Sequence, residues 1–154
     1  MSDPLGFLVS DVSRLLRRSF DEKARTIGVT RPQWRVLTLL ARREGINQGG
    51  IADLLEVEPI TLSRMIDRLQ EAGLVERRAD PNDRRAWQLF LTDKAAPIIA
   101  QLRDYAEELF VDVLDGFSEV EERQLNALLA RVHQNLQKQN LSQRSDECGV
   151  RAHG

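Results

Sequence analysis

Residues 58–92 read EPITLSRMIDRLQEAGLVERRADPNDRRAWQLFLT. Ile60, Leu62, Met65, Ile66 and Leu69 include the inward face of a helix that starts near Pro59 or Ile60. Thr61, Ser63, Arg64, Asp67, Arg68 and Glu71 supply its polar surface. Proline is tolerated in a first helical turn, and glycine past the last one, so Pro59 and Gly73 bracket the segment. Leu74–Arg77 and Gln88–Leu91 follow as short strand candidates, with the turn-forming Asp80-Pro81-Asn82-Asp83 between them. Two strands cannot make the core of a large sheet, so the hairpin reads as a wing attached to helices.

Working upstream, Glu56-Val57-Glu58-Pro59 is all that separates this helix from a shorter one over Gln48–Leu55. So tight a link between two helices predicts a helix-turn-helix pair. Asn47 is the candidate cap of the shorter helix. Gly49-Gly50 weakens its first turn, which predicts close packing or an extended loop, and no Lys-Ser/Thr follows as a nucleotide-binding loop requires. Thr30-Arg31-Pro32-Gln33 carries a capping box and opens another helix, whose buried side includes Trp34, Val36, Leu37 and Leu40. Trp34 reads either as core alone or as core that also walls a pocket. Leu5–Ile27 forms an amphipathic helix stopped by Gly28, and its apolar face needs a cover: the C-terminal helices or a second subunit.

Downstream, a helix runs from Lys94 to about Leu114 and Gly116 breaks it. Ser118 and Glu121 form a second capping box, and Leu125, Leu128, Leu129, Val132 and Leu136 repeat through a last helix. Apolar periodicity fails at Leu141. The expected fold is mostly α with a small β-hairpin wing: a winged helix-turn-helix with N- and C-terminal dimerisation helices. The expected segments are 1–29 for the first dimerisation helix, 30–92 for the winged unit, 93–139 for the C-terminal helices and 140–154 for a disordered tail.

Composition narrows the function. With 154 residues, 42% hydrophobic and 30% charged, the chain is long enough to bury a core and is not a disordered type. No run of about 18 apolar residues occurs, so no membrane span is expected, and MSDPLGFLVSDVS lacks the pattern of a secretory leader. A cytoplasmic location follows as the expectation. One cysteine, Cys148 beside Asp146 and Glu147, gives neither a disulfide nor an activated thiolate; with His133 and His153 it makes no zinc set. No metal, cofactor or catalytic constellation is expected. The net charge is −2, yet residues 60–94 hold seven basic against six acidic side chains, and residues 95–154 six against ten. Distribution, rather than the sum, decides what a surface attracts.

The second helix of such a pair serves major-groove contact, and flanking elements hold phosphates. Thr61 and Ser63 can bond base edges or phosphates, Arg64 can read guanine with its planar fork, and Arg68, one turn on, reaches a phosphate. Arg84 and Arg85 follow the turn, where neighbouring side chains point to opposite faces. Arg84 is then the minor-groove or phosphate probe, and Arg85 supports the wing, partly through Asp83. The bland alternative makes Arg64 and Arg68 solvated partners of Asp67, Glu71 or other acids, and the wing tip a merely soluble turn. A second class of function is a helical scaffold that docks protein through the same surface; it predicts a dimer whose partner binding survives changes at Arg64 and Arg84.

The combination of TRPQWRVLTLL (30–40), IADLLEV (51–57) and ITLSRMIDRLQEAGLVERRADPNDRRAWQLFLTDKA (60–95) resembles the multiple-antibiotic-resistance regulator (MarR) family of winged-helix repressors, with some similarity to its salicylate-responsive virulence-regulator branch. The specific part is Leu-x-x-x-Gly-Leu-Val, then Asp-Pro-x-Asp-Arg-Arg, then Leu-x-Leu-Thr. The resemblance extends through about Gln137. It implies a homodimer paired through first and last helices, pseudo-palindromic double-stranded DNA as partner, and a repressor released by a small aromatic or phenolic effector. It also implies a recognition helix over about Ile60–Ala72, a wing over Arg77–Leu89 in which Asp83 supports the arginines, and an effector cleft near Trp34 and the first helix, with Arg14 as a candidate ligand contact. Oxidation-sensing relatives carry cysteines in the folded body, and Cys148 lies outside that pattern.

Overall fold

The computed structural model describes residues 4–150, with side chains described through Asn140. Six helices and a hairpin follow the order α1 (Leu5–Thr26), α2 (Arg31–Arg42), α3 (Gln48–Leu55), α4 (Pro59–Glu71), β1 (Val75–Ala79), β2 (Trp87–Leu91), α5 (Ala96–Val113) and α6 (Glu119–Val150). The mainly helical winged architecture matches the sequence expectation. Two compact units divide at Phe110/Val111, inside α5.

Local chemistry sets most boundaries of the first unit. The Thr30 N–H donates to Gln33 Oε1 at 2.9 Å, which closes the start of α2. Asn47 Oδ1 accepts the Gly50 N–H at 2.7 Å at the start of α3. Gly50 belongs there for packing, because a Cβ would lie 3.3 Å from both Asn47 Oδ1 and Ile46 Cγ1. At the other end of α3, Glu56 takes a left-handed conformation (φ 53°), which turns the chain toward α4. Gly73, at φ 74°, ends α4; its N–H bonds to Gln70 O and the Leu74 N–H to Leu69 O.

β1 and β2 pair antiparallel with Val75 opposite Leu91, Arg77 opposite Leu89 and Ala79 opposite Trp87. The first strand lies one to two residues later than the sequence suggested: the Leu74 N–H is taken by Leu69 O at the α4 terminus, while its carbonyl accepts the Thr92 N–H. Asn47 also bridges Gln88, so the wing is joined to the start of α3. Val36, Leu37 and Leu40 of α2, Ile51 of α3, Leu62, Ile66 and Leu69 of α4, and Leu89 of β2 are fully buried. Each such side chain contributes on the order of 1.5–3 kcal/mol, so the winged unit has a core of its own. Phe20 and Ala24 bring α1 into that core, and Leu102 brings α5.

In the second unit, Ser118 and Glu121 close their capping box in both directions: the Ser118 N–H donates to Glu121 Oε2 at 2.8 Å and the Glu121 N–H to Ser118 Oγ at 3.3 Å. The backbone bond from Ser118 holds the Glu121 carboxyl below the usual glutamate range. α6 continues to Val150, past Leu141 where apolar periodicity stops. His153 lies outside the described residues, as does the side chain of Cys148.

Candidate nucleic-acid interface

α4 presents Thr61, Arg64 and Arg68 to solvent, and the wing tip presents Arg84 and Arg85. Ser63 is half-buried, and its carbonyl is engaged by Arg77 at 3.3 Å. Among the described residues, the side chains of Arg64, Arg68, Arg84 and Arg85 make no hydrogen bond or ion pair. Some other surface arginines of the same unit pair, Arg14 with Asp11, Arg18 with Glu22, Arg31 with Asp21 and Arg78 with Glu76, whereas the side chains of Arg17, Arg25, Arg42, Arg43 and Arg103 also make no hydrogen bond or ion pair among the described residues. Arg64 and Arg68 thus form no pair with Asp67 or Glu71. With Arg84 and Arg85 they form a set of free planar cations on the two elements expected to meet DNA.

The wing tip is built by its acids acting on backbone. Asp80 Oδ1 accepts the Asn82 N–H at 2.8 Å, and Asp83 Oδ1 accepts the Arg85 N–H at 2.9 Å. The Asp80 N–H in turn reaches Ala86 O at 3.1 Å. Asp83 thus supports the wing through the main chain of Arg85. The Arg85 link to Asp83 runs through its backbone N–H, with no side-chain bond, and Arg84 and Arg85 are both exposed.

Arg77 was not singled out by the sequence reading. It lies on the same strand face as the buried Val75, opposite the buried Leu89, so its side chain points inward. There it is only 15% exposed and ion-pairs with Asp67 Oδ1 at 2.7 Å. It also donates to Gln48 Oε1 at 3.2 Å and Gln70 Oε1 at 2.8 Å. Period-two alternation placing an arginine between apolar neighbours was the available signal. Arg78, on the other face, stacks over Phe90 with its guanidinium carbon 4.0 Å from the ring centroid.

An open cavity of about 480 Å³ lies among α1, α2, the end of α3 and α5. Phe20, Trp34, Leu102 and Phe110 contribute its apolar wall, Arg17, Arg35, Arg42 and Arg103 its charges, and no acidic side chain lines it. Trp34 is therefore core and wall at once: it packs edge-on to Phe20, centroids 4.6 Å apart, and borders the cavity. Arg14 does not line it, because its guanidinium is turned to Asp11 on exposed helix surface; Arg17, one turn further on, does. Asp21 Oδ1 accepts from Trp34 Nε1 at 2.8 Å, while Oδ2 takes the Arg31 guanidinium. Burial would raise the Asp21 carboxyl, but the hydrogen bonds from Arg31 and Trp34 and the charges of Arg31 and Arg25 outweigh it and hold the group below the usual aspartate range. The same bond raises Arg31.

No helix among the described residues is long and apolar enough to cross a membrane. Residues 29–87, from just before α2 to the first residue of β2, match the model of the MarR family. The chain is 36% identical to the transcriptional regulator PA3341, with 88% of this chain and 99% of that one covered and a TM-score of 0.78. It is 30% identical to a MarR variant from E. coli solved with operator DNA, covering 84% of this chain and 94% of that one at a TM-score of 0.70. A further MarR structure is 26% identical, with 91% and 97% covered and a TM-score of 0.80. The shared helix-turn-helix, wing and flanking helices extend over nearly the whole chain, which belongs to the MarR family of transcriptional regulators.

Proposed function

We propose that this chain is a homodimeric, sequence-specific double-stranded DNA-binding repressor. The observation that carries this reading is the placement of Arg64, Arg68, Arg84 and Arg85, exposed and unpaired, together on α4 and the wing tip. Arg64 supplies base reading with Thr61 and Ser63, and Arg68 takes a phosphate. Arg84 and Arg85 track the adjoining groove or backbone. An E. coli relative crystallised with operator DNA adds support.

Dimerisation is supported by apolar side chains left facing solvent within each unit. On α1, Leu5, Phe7, Leu8 and Val12 are exposed; on α6, Val120, Leu128 and Leu136 are each more than half exposed. A second copy would cover such stripes and present two reading heads to a pseudo-palindromic site. The cavity suits a small aromatic or phenolic effector, since Phe20 and Trp34 offer ring contacts and the arginines offer donors. The effector acts as a release signal provided it binds the DNA-free arrangement more tightly than the DNA-bound one.

Selection of genomic duplexes by the purified protein, followed by footprinting, tests the core of the reading. The expected result is a protected palindrome whose affinity falls with salt. Absence of salt-sensitive DNA binding defeats it. Salicylate as a first probe tests the effector: release of the selected duplex together with a change in Trp34 fluorescence is expected.

A further inference from the structure

Arg77 is the best-connected cation of the winged unit and lies behind the reading surface. We propose that Arg77 is the positioning residue of DNA reading, which locks the wing to α4 and withdraws Asp67 from the reading arginines. This rests on the DNA-binding reading above.

The geometry makes the case from one guanidinium. From β1, Nε donates to Gln48 of α3, Nη1 to Gln70 of α4, and Nη2 to the Ser63 carbonyl of α4, while Nη2 also pairs with Asp67 at 2.7 Å. Each nitrogen is used, and the acceptors lie on two helices while the donor stands on the wing strand. The planar fork of arginine spans such a set; a lysine ammonium on the same stem does not. Arg77 therefore holds β1 to α4 where the helix carries Ser63 and Arg64, and ties both to α3.

The second consequence concerns charge. Asp67 follows Arg64 by three positions and immediately precedes Arg68. Side chains three apart on a helix are neighbours, so an uncommitted Asp67 would draw Arg64 into a local ion pair. It would also place an unneutralised carboxylate close to phosphates. Asp67 is instead committed to Arg77, and Arg64 is left free. The inward arginine of the wing thus keeps the outward arginine of the recognition helix available.

The test compares binding of the footprinted duplex and a scrambled duplex by wild type, Arg77→Met, Arg77→Lys, Asp67→Asn and the Arg77→Met/Asp67→Asn double variant, each below its own melting temperature. Arg77→Met is expected to lose about tenfold or more in affinity for the specific site and less for the scrambled one. Arg77→Lys is expected to lose affinity as well, and serves if Arg77→Met does not fold. Asp67→Asn alone is expected to stay within about threefold of wild type and to restore part of the loss in the Arg77→Met background. Unchanged specific affinity in folded Arg77 variants overturns the proposal. So does a loss that Asp67→Asn leaves untouched, which would mark Arg77 as a general structural residue. If the wild type itself shows no salt-sensitive binding to either duplex, the DNA reading fails and this proposal falls with it.

Discussion

Trp34 Nε1 donates to Asp21 Oδ1 at 2.8 Å, a bond that runs from the ring walling the cavity on α2 to the carboxylate of α1 that also holds Arg31. One carboxylate thereby fastens α1 to the first turn of α2 beside the cavity. Replacing Trp34 by Phe keeps the ring contact with Phe20 but deletes the donor. A loss of about 1–2 kcal/mol in unfolding free energy is expected. Urea denaturation checks this, and an unchanged midpoint would show that the bond contributes nothing net.

The same carboxylate makes part of the stability depend on acid. Its folded-state pKa is depressed, so its contribution is complete above about pH 4–5 and disappears as pH falls through the folded value. The stability gap between wild type and Asp21→Asn is therefore expected to be flat from neutral pH down to about pH 5 and to narrow below it. A gap that stays constant to about pH 3 would contradict the linkage.

Arg64 and Arg68 are free on one helix, but they are expected to act differently. Arg64→Ala should cost about 1–3 kcal/mol on the selected site and relax preference at one base position. Arg68→Ala should weaken all duplexes alike and lower the salt slope by about one. Binding isotherms at several salt concentrations separate these outcomes; identical behaviour of the two variants would remove the division of roles.

At the wing, Arg84 and Arg85 are exposed and their side chains hold no part of the turn, so Arg84→Ala and Arg85→Ala should each weaken binding without loosening it. Asp83→Ala should loosen it, because the Arg85 N–H loses its acceptor. Proteolysis at the wing tip reads the turn, and anisotropy reads the affinity. Enhanced cleavage of Arg85→Ala with wild-type cleavage of Asp83→Ala would reverse the assignment.

Glu56 holds a left-handed backbone without being glycine, at a cost of roughly 1 kcal/mol. Glu56→Gly relieves that strain while preserving the turn between α3 and α4, and should raise the unfolding midpoint modestly. A lower midpoint would show that the Glu56 side chain contributes more than its backbone costs.

The amino-acid sequence by itself determined the features whose causes lie within a few residues. Thr30 with Gln33, Asn47 with Gly50, Gly73, and Ser118 with Glu121 place helix ends through bonds closed inside one turn. The hairpin and the exposed Arg84 follow equally from local turn chemistry. Tertiary structure alone decided what depends on partners distant along the chain. Arg77 finds Gln48 across 29 positions, and Trp34 finds Asp21 across 13. Arg17 rather than Arg14 lines the cavity because the rotation of α1 is set by the burial of Phe20 and Ala24 against the core. The helix over residues 48–55, the helix over 59–71 and the wing were each legible separately. That one inward guanidinium on β1 reaches acceptors on both α3 and α4 required the packed molecule, because an arginine's acceptors are chosen by where folding brings them.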